Sequence, residues 1–298
     1  MERWEITSED EDYPKELLLL NHPPEVIYGI GDRSTLQAPC LSIIGARRAT
    51  PYGMAIAEMA GRCSADNNIV VVSGGALGCD YMAGMAALNA GGKTIVVAGC
   101  GADVTYPSTS TDLFEAARGG RGAVISLDRW NTPPRRYAFP RRNAVIAALG
   151  KVLLVTEAGL CSGTMSTAEF ANSLGKTIYA IPGSIFSPAS AGTNRLISEG
   201  AQIIPDEASL SIAISLDFDC LAQEHVKHDK KLTPLLSALI ASPSRPEELA
   251  WRLSENVLTV LNFLTEYEVR GMVKRLPDGR YTPSKDFYCD SECVIGEQ

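Results

Sequence analysis

Phe139 to Glu169, FPRRNAVIAALGKVLLVTEAGLCSGTMSTAE, joins an arginine pair to an apolar run and then to a glycine turn. The run Val152 to Val155 is short, ends at small residues and precedes helical periodicity, so it predicts a parallel strand that feeds a helix. Ser162, Gly163 and Thr164 then fall at the start of that helix. Because helix N-termini carry unpaired N–H groups and the positive end of the helix dipole, this order favours an anion such as phosphate. The same three residues could also serve only as an N-cap.

Two earlier segments repeat the order of strand, glycine turn and helix. Ile69 to Gly78 is a β-branched run that breaks at a Ser-Gly-Gly turn, and Leu41 to Gly53, LSIIGARRATPYG, has two arginines in its turn. The carboxyl ends of parallel strands meet at one edge of the sheet, where open α/β folds bind ligands. Neither a Walker sequence nor G-x-G-x-x-G is present, so the usual nucleotide-binding loops are not indicated. The turn residues predicted to contact an anion are Arg47, Arg48, Ser73, Gly74 and Gly75.

Composition places the chain among globular proteins. It has 298 residues, of which 45% are hydrophobic and 21% charged, and this length allows two or three domains. No apolar run approaches the roughly 20 residues needed to span a bilayer, and the acidic N-terminus lacks the apolar region of a signal peptide. We therefore expect a cytoplasmic protein with no membrane association.

The eight cysteines are scattered, which favours reduced thiols over a disulfide framework. Cys289 with Cys293, and Cys220 with His225 and His228, do not form a recognised zinc spacing. We predict no metal and no cofactor.

The arginines are concentrated in one window although the net charge is −8. Between residues 118 and 142 seven arginines stand against Asp128 alone, and Tyr137 and Phe139 are interleaved with them. Guanidinium groups pair with phosphate and stack on bases, so this pattern favours single-stranded nucleic acid over a merely solvated loop. The seven are Arg118, Arg121, Arg129, Arg135, Arg136, Arg141 and Arg142.

The chain divides into five predicted parts. These are an entry segment with a short helix and an extended arm (1–38), a domain of alternating strands and helices (39–205), an acidic linker (206–231), a helical module (232–285) and a tail (286–298). The alternation predicts an α/β fold with a doubly wound, largely parallel sheet covered on both faces. Strands are expected near 41–45, 69–73, 94–98, 123–126, 152–156 and 177–181.

The module 232–285 has three helical patterns, near 232–241, 245–253 and 257–271, followed by a hairpin, which together predict a winged helix. Its third helix is apolar and acidic with Arg270 as its single cation, so a protein contact is favoured over the DNA major groove.

From Tyr13 to Pro283 the chain resembles the bacterial DNA-processing protein A family, also called DprA or Smf. The resemblance implies an extended Rossmann-like domain that binds single-stranded DNA without cutting it. Proteins of the family form dimers, protect incoming DNA during natural transformation and help load RecA. The matching segments are Tyr13–Gly31, Gly45–Gly53, Ser73–Asp80, Gly91–Pro107, Phe139–Asn143, Thr156–Ala168 and Ile181–Ala201.

Arg47 matches a basic turn position of the family, Arg136 a basic position before the Phe-Pro motif, and Phe139, Arg142 and Asn143 that motif itself. Pairing of the three arginines with phosphates, and stacking by Phe139, are hypotheses built on this resemblance. The chain departs from the family pattern at Leu77, Gly84, Leu127 and Ala144.

A second hypothesis is an enzyme. Gly159 to Glu169 also resembles the loop of Rossmann-like nucleoside-monophosphate phosphoribohydrolases, with Glu157 and Glu169 as candidate acids. The loop lacks the Pro-Gly-Gly entry of those enzymes, and the arginine window would remain unexplained.

Overall fold

A nine-stranded sheet with helices on both faces organises most of the chain. The structure, a computed structural model, describes residues 2–220 and 233–289. The strand order is β1-β2-β6-β5-β4-β3-β7-β8-β9. The last seven strands in this order, β3 to β9 by number, are parallel to one another. The strands are β1 (Arg3–Thr7), β2 (Val26–Gly31), β3 (Cys40–Ile44), β4 (Val70–Ser73), β5 (Thr94–Ala98), β6 (Gly122–Ser126), β7 (Val152–Val155), β8 (Thr177–Ala180) and β9 (Gln202–Ile203).

The helices between the strands complete the alternating pattern. In chain order they are α1 (Pro51–Asp66), α2 (Cys79–Asn89), α3 (Thr111–Ala116), α4 (Ala138–Leu149), α5 (Gly163–Ser173), α6 (Ala191–Ser198) and α7 (Glu207–Phe218). The predicted α/β fold with a mostly parallel sheet is confirmed, and the six predicted strands lie within two residues of the observed ones.

Apolar residues cover both faces of the sheet, as parallel strands require. Along β3, Leu41 and Ile43 face α1, α2 and α7, whereas Cys40 and Ile44 face α4 and α5. This two-sided burial explains why the central strands are continuous apolar runs rather than alternating ones.

The N-terminal residues extend the sheet, which the sequence analysis did not predict. β1 pairs antiparallel with β2, and β2 pairs antiparallel with β6. The expected short helix is a 3₁₀ helix at Lys15–Leu19. The extended arm is instead two strands, of which β1 lies at the sheet edge and β2 lies between β1 and β6. The charged, half-exposed residues of β1 and the glycines of β2 hid the periodicity of a strand.

The predicted linker is wrong over its first half, where α7 packs on the domain. Leu210 and Ile214 are one helical turn apart and fully buried, and the Asp206 carboxylate caps the helix by accepting a hydrogen bond from the Ser209 N–H (2.8 Å). The acidic composition of this segment concealed its narrow apolar face. Residues 221–231 of the predicted linker lie outside the described residues.

A second, smaller core lies in the C-terminal part. It contains α8 (Pro234–Ala241), α9 (Pro246–Leu253), α10 (Val257–Val269), the hairpin β10 (Val273–Arg275) and β11 (Tyr281–Pro283), and α11 (Lys285–Cys289). The helices and the hairpin follow the predicted order, and the assignment as a winged helix stays a prediction. Lys285 pairs with Glu58 of α1 at 2.7 Å, which joins this part to the sheet domain. Residues 290–298 of the predicted tail are outside the described residues.

None of the helices in residues 2–220 and 233–289 is both long and apolar enough to cross a membrane.

Candidate nucleic-acid interface

Three of the turns singled out in the sequence meet at the carboxyl edge of the sheet, because β4, β3 and β7 are adjacent and parallel. Asp80, in the first turn of α2, joins two of them. Its buried carboxylate accepts hydrogen bonds from the Gly45 N–H (3.3 Å) and the Gly74 N–H (3.2 Å). Asp80 was not among the residues predicted for this edge, although it stands directly after the glycine turn SGGALGC.

Arg142 is the central cation of the edge. It lies on α4 and is only 6% exposed, with its guanidinium against the backbone of Gly74. A Cβ atom at position 74 would lie 1.6 Å from Nη1 of Arg142, so a glycine is required there. The Nε atom of Arg142 is buried and has no hydrogen-bond partner among the described residues. A buried charged group that lacks partners is costly, and an anion at this point would supply them.

The pKa values of Arg142 and Asp80 are shifted by burial and by the charge of the other residue. Burial lowers the pKa of Arg142, and the nearby Asp80 carboxylate opposes that change. Burial also raises the pKa of Asp80, against the charge of Arg142 and the backbone N–H groups of Gly45, Gly74 and Ala76. Asp80 therefore interacts with the turns through hydrogen bonds and with Arg142 through its charge, without a direct ion-pair contact.

The Phe139 ring lies close to two arginines. The centroid of its ring is 5.5 Å from Cζ of Arg47 and 5.9 Å from Cζ of Arg142. The ring packs against Gly99, at the end of β5, and its centroid is 5.9 Å from that of Tyr106. Tyr106 is 46% exposed and was missed in the sequence, where it is a lone aromatic in a loop. We call Arg47, Phe139, Arg142 and Tyr106 the edge cluster.

The Ser73–Gly75 turn supports the edge cluster rather than offering donors of its own. The buried Ser73 hydroxyl donates to the Ile43 carbonyl (2.7 Å), and the Gly74 N–H is engaged by Asp80. Gly75 has a φ of +62° and packs against Val96 and Phe114, where a side chain would not fit. The Gly74 N–H, at a residue predicted to contact an anion, is therefore already engaged by a carboxylate of the fold.

The start of α5 has mixed roles. The buried Thr164 hydroxyl donates to the Gly45 carbonyl (3.0 Å), so it links the first turn of α5 to the turn after β3. Gly163 is exposed, and its carbonyl accepts a long hydrogen bond from Asn143 Nδ2 (3.5 Å). The Ser162 hydroxyl oxygen is buried without a partner among the described residues, and it does not cap the helix.

The arginine window separates into two groups. Arg118 donates to the carbonyls of Ala102 and Val104 and to the Thr105 hydroxyl, and Arg121 donates to the Leu88 carbonyl. These two are structural.

The exposed group of the window lies on or before α4. Arg129, Arg135 and Arg136 are exposed, while Arg141 pairs with Asp128 at 3.5 Å. Outside the window, Arg48 is exposed beside Arg47.

Glu157, the first candidate acid of the enzyme hypothesis, has a structural role. Its buried carboxylate accepts hydrogen bonds from the Thr50 N–H (2.8 Å) and the Thr50 hydroxyl (2.6 Å) at the start of α1. Burial raises the pKa of Glu157, and the bonds from Thr50 oppose the rise. Glu169 is exposed on α5. The carboxylates of Glu157 and Glu169 thus do not form a shared acid–base site.

The cysteines are mostly buried single thiols. Burial raises the pKa of Cys40, Cys63 and Cys79 to about 12, which keeps them protonated at neutral pH. Within residues 2–220 and 233–289 there is no group of three or more His, Cys, Asp and Glu side chains arranged to hold a metal ion. His225, His228 and Cys293, considered as ligands above, lie outside the described residues.

Comparison with known proteins identifies the family. The family model described as DNA recombination-mediator protein A matches residues 4–215, which include every residue of the edge cluster. The chain belongs to this family. Protein Smf of Escherichia coli K12 is 31% identical over 283 residues, covering 92% of this chain and 76% of its own.

Two solved structures of DNA-processing protein A have similar folds. The protein from Streptococcus pneumoniae superimposes with a TM-score of 0.66 at 34% identity, covering 69% of this chain and 72% of its own. The protein from Helicobacter pylori, described for its single-stranded DNA binding mode, has a TM-score of 0.65 at 32% identity and covers 73% of this chain and 97% of its own. The resemblance to the DprA/Smf family noted in the sequence is thereby confirmed.

Proposed function

We propose that this DprA/Smf-family chain binds single-stranded DNA at the edge cluster and acts as a non-catalytic DNA-processing protein. In this proposal Arg47 and Arg142 pair with phosphates and Phe139 offers its ring to a base. The H. pylori relative, whose single-stranded DNA binding is described, supports the choice of ligand.

One observation carries the proposal: the buried guanidinium of Arg142 has an Nε without a partner among the described residues. A phosphate oxygen is a strong acceptor for a guanidinium, and charge-assisted hydrogen bonds of this kind are about twice as strong as neutral ones. The exposed Arg47, which also lies close to the Phe139 ring, would hold a neighbouring phosphate.

The proposed binding is tolerant of sequence. Stacking on an aromatic ring and pairing with phosphates distinguish poorly among bases, whereas direct base recognition needs side chains that read base edges. Tyr106, next to Phe139, adds a second partly exposed aromatic surface.

The family resemblance supports a proposal for the wider role. We propose that the protein is a homodimer in the cytoplasm, that it protects incoming DNA during natural transformation and promotes RecA loading, and that 232–285 is a winged helix making protein contacts. The exposed apolar residues Trp251 and Leu258, 86% and 70% accessible, support a contact with protein rather than with DNA. RecA filament growth on DNA coated with single-strand-binding protein measures the loading role, and an unchanged growth rate would contradict it.

The absence of catalysis is part of the proposal, and the engagement of Glu157 with Thr50 supports it. Incubation with nucleoside monophosphates tests it directly. We expect no release of free base, and release above that of a heat-denatured sample would favour the enzyme hypothesis.

Fluorescence anisotropy of labelled single-stranded and duplex oligonucleotides across a salt series tests the DNA proposal. We expect preference for the single strand and a logarithmic salt slope of roughly −0.7 for each phosphate contact. Arg195→Ala is the charge-matched control for arginine variants of the edge cluster. Arg195 lies on α6, pairs with Glu199 and is not in the cluster. Equal affinity for the duplex, or no binding at low salt, would contradict the proposal.

A further inference from the structure

A large groove lies beside the edge cluster, on the face of the sheet that α4 and α5 cover. Its cavity has a volume of about 1120 Å³. One wall is the N-terminal segment 19–28, the other is the loop 127–137, and Ala144 of α4 and Phe170 of α5 line its floor. The N-terminal segment thus forms part of a concave surface, which the sequence analysis did not predict.

The loop wall of the groove is cationic. Arg129 and Arg135 line it, are exposed, and form no ion pair with a carboxylate of any residue that the structure describes. Arg141 also lines the groove and is held by Asp128 at 3.5 Å. Asp128 is the one carboxylate against three guanidinium groups on this wall, and the facing wall contributes Glu25, so the groove as a whole retains a net positive charge of one.

An aromatic side chain accompanies the arginines. Tyr137 lines the groove and is 54% exposed, and its hydroxyl accepts a hydrogen bond from Nη1 of Arg135 (3.3 Å). An exposed ring among free guanidinium groups is the combination that binds single strands through base stacking and phosphate pairing.

The groove is continuous with the edge cluster through α4. Phe139 and Arg142 of that helix contribute to the cluster, and their sequence neighbours Pro140 and Arg141 line the groove. Consecutive residues of a helix point about 100° apart, so one helical turn serves both surfaces. A DNA strand that contacts Phe139 and continues across the first turn of α4 would enter the groove directly.

We propose that this groove is a second binding segment for single-stranded DNA, in which Arg129 and Arg135 hold phosphates and Tyr137 stacks on a base. The proposal rests on the proposed function and adds the direction in which the bound strand extends. It predicts that affinity increases with oligonucleotide length, and that this increase depends on the groove, while a short oligonucleotide needs the edge cluster alone.

The test compares oligothymidylates of about 5 and about 20 nucleotides by anisotropy on the full chain. For the wild type we expect the longer strand to bind about 100-fold more tightly. In the double variant Arg129→Ser/Arg135→Ser, the affinity for the longer strand should fall about tenfold and its salt slope should decrease by about 1.4. The affinity for the short strand should stay unchanged. Arg62→Ser/Arg195→Ser, which removes two arginines that pair with Glu207 and Glu199, should leave the gain intact.

A cross-link gives a second measurement that does not depend on the stability of a variant. Iodouracil at the end of the long strand should react with the peptide that contains Tyr137. A cross-link confined to the exposed loop residues Ile185 and Phe186, after β8, would place the strand on the opposite side and overturn the proposal.

The possible failures are distinguishable. If neither strand binds the wild type, the proposed function fails and the groove proposal with it. If the short strand binds and the groove variant keeps the whole length-dependent gain, only the groove proposal fails.

Discussion

Two arginines of the same window, Arg118 and Arg142, have opposite surroundings. Arg118 places its guanidinium among the Ala102 and Val104 carbonyls and the Thr105 hydroxyl, at 2.8 to 3.0 Å, and over the ring of Phe114. Arg142 is more deeply buried, and its Nε has no partner among the described residues. Burial lowers the pKa of both, yet only Arg118 has its hydrogen bonds satisfied by the fold.

The difference shows how a structural arginine and a binding arginine can be separated within one run of sequence. Hydrogen bonds to backbone carbonyls satisfy Arg118 and close the loop 102–105. The unsatisfied Arg142 instead needs an external acceptor, which a phosphate provides. Local arginine density cannot make this distinction, because it depends on which carbonyls the fold places nearby.

Arg142→Met should give the largest change in DNA affinity. We expect the affinity for single-stranded DNA to fall about 50-fold, or about 2.3 kcal/mol, because a charge-assisted contact to phosphate is lost. Removing an unsatisfied charge stabilises the fold, while Asp80 loses its neighbouring cation, so the free energy of unfolding should change by less than about 1 kcal/mol. Anisotropy and urea unfolding measure the two quantities. A large loss of stability with intact affinity would reverse our interpretation of this residue.

Arg118→Met should have the opposite profile. The free energy of unfolding should fall by about 2 kcal/mol, since three acceptors in the loop 102–105 lose their donor. DNA affinity should stay within about twofold of wild type. The matched variant Arg129→Met, at an exposed position without an ion pair to a described residue, should change stability by less than about 0.5 kcal/mol. If Arg118→Met weakens DNA binding at unchanged stability, the two arginines do not differ as described.

Arg47→Ala should weaken binding about fivefold and reduce the salt slope by about 0.7, because Arg47 is exposed and contributes one phosphate contact. Arg47→Lys retains the charge and should recover most of the slope but less of the affinity, since lysine lacks the planar guanidinium that lies over Phe139. Anisotropy across a salt series measures the affinity and the salt slope of both variants. An unchanged slope for Arg47→Ala would remove Arg47 from the interface.

Glu157→Gln should give the smallest effect, seen in the pH dependence of stability. Burial raises the pKa of Glu157 above its ordinary 4.5, so its contribution to stability is complete below that value and is lost as the pH rises through the raised pKa. The variant should therefore gain stability relative to wild type from about pH 4.5 towards pH 7, with unchanged DNA affinity. Thermal unfolding across this range measures the difference. A constant difference at all pH values, or a loss of DNA binding, would contradict the structural role.

The central fold could be predicted from the sequence because local signals and burial agree there. The runs that form β3, β4, β5 and β7 are apolar on both faces and end at small residues, so period and turn chemistry indicate the same elements. The strands β1 and β2 were missed, because β1 is half-exposed at the sheet edge and Gly29 and Gly31 interrupt the apolar run of β2. Helix α7 was missed for a similar reason, since its buried side depends mainly on Leu210 and Ile214.

The candidate site was only partly predictable. Sequence analysis placed Arg47, Phe139 and Arg142 in one interface, and the structure brings their side chains together. It did not foresee that Asp80 occupies the Gly74 N–H, or that Thr164 is turned inward to the Gly45 carbonyl. These are long-range contacts between turns, and no spacing within a single turn encodes them.

The sequence by itself determined the order of strands and helices, the meeting of the glycine turns at one sheet edge, and the concentration of arginines near it. These features follow from periodicity, turn chemistry and charge, which are local properties. Only the tertiary structure decided that Arg118 is satisfied and Arg142 is not, and that segment 19–28 faces the arginine loop across a groove. The physical reason is that hydrogen-bond satisfaction and concavity depend on atoms distant in the chain, which are brought together when the sheet and its helices pack.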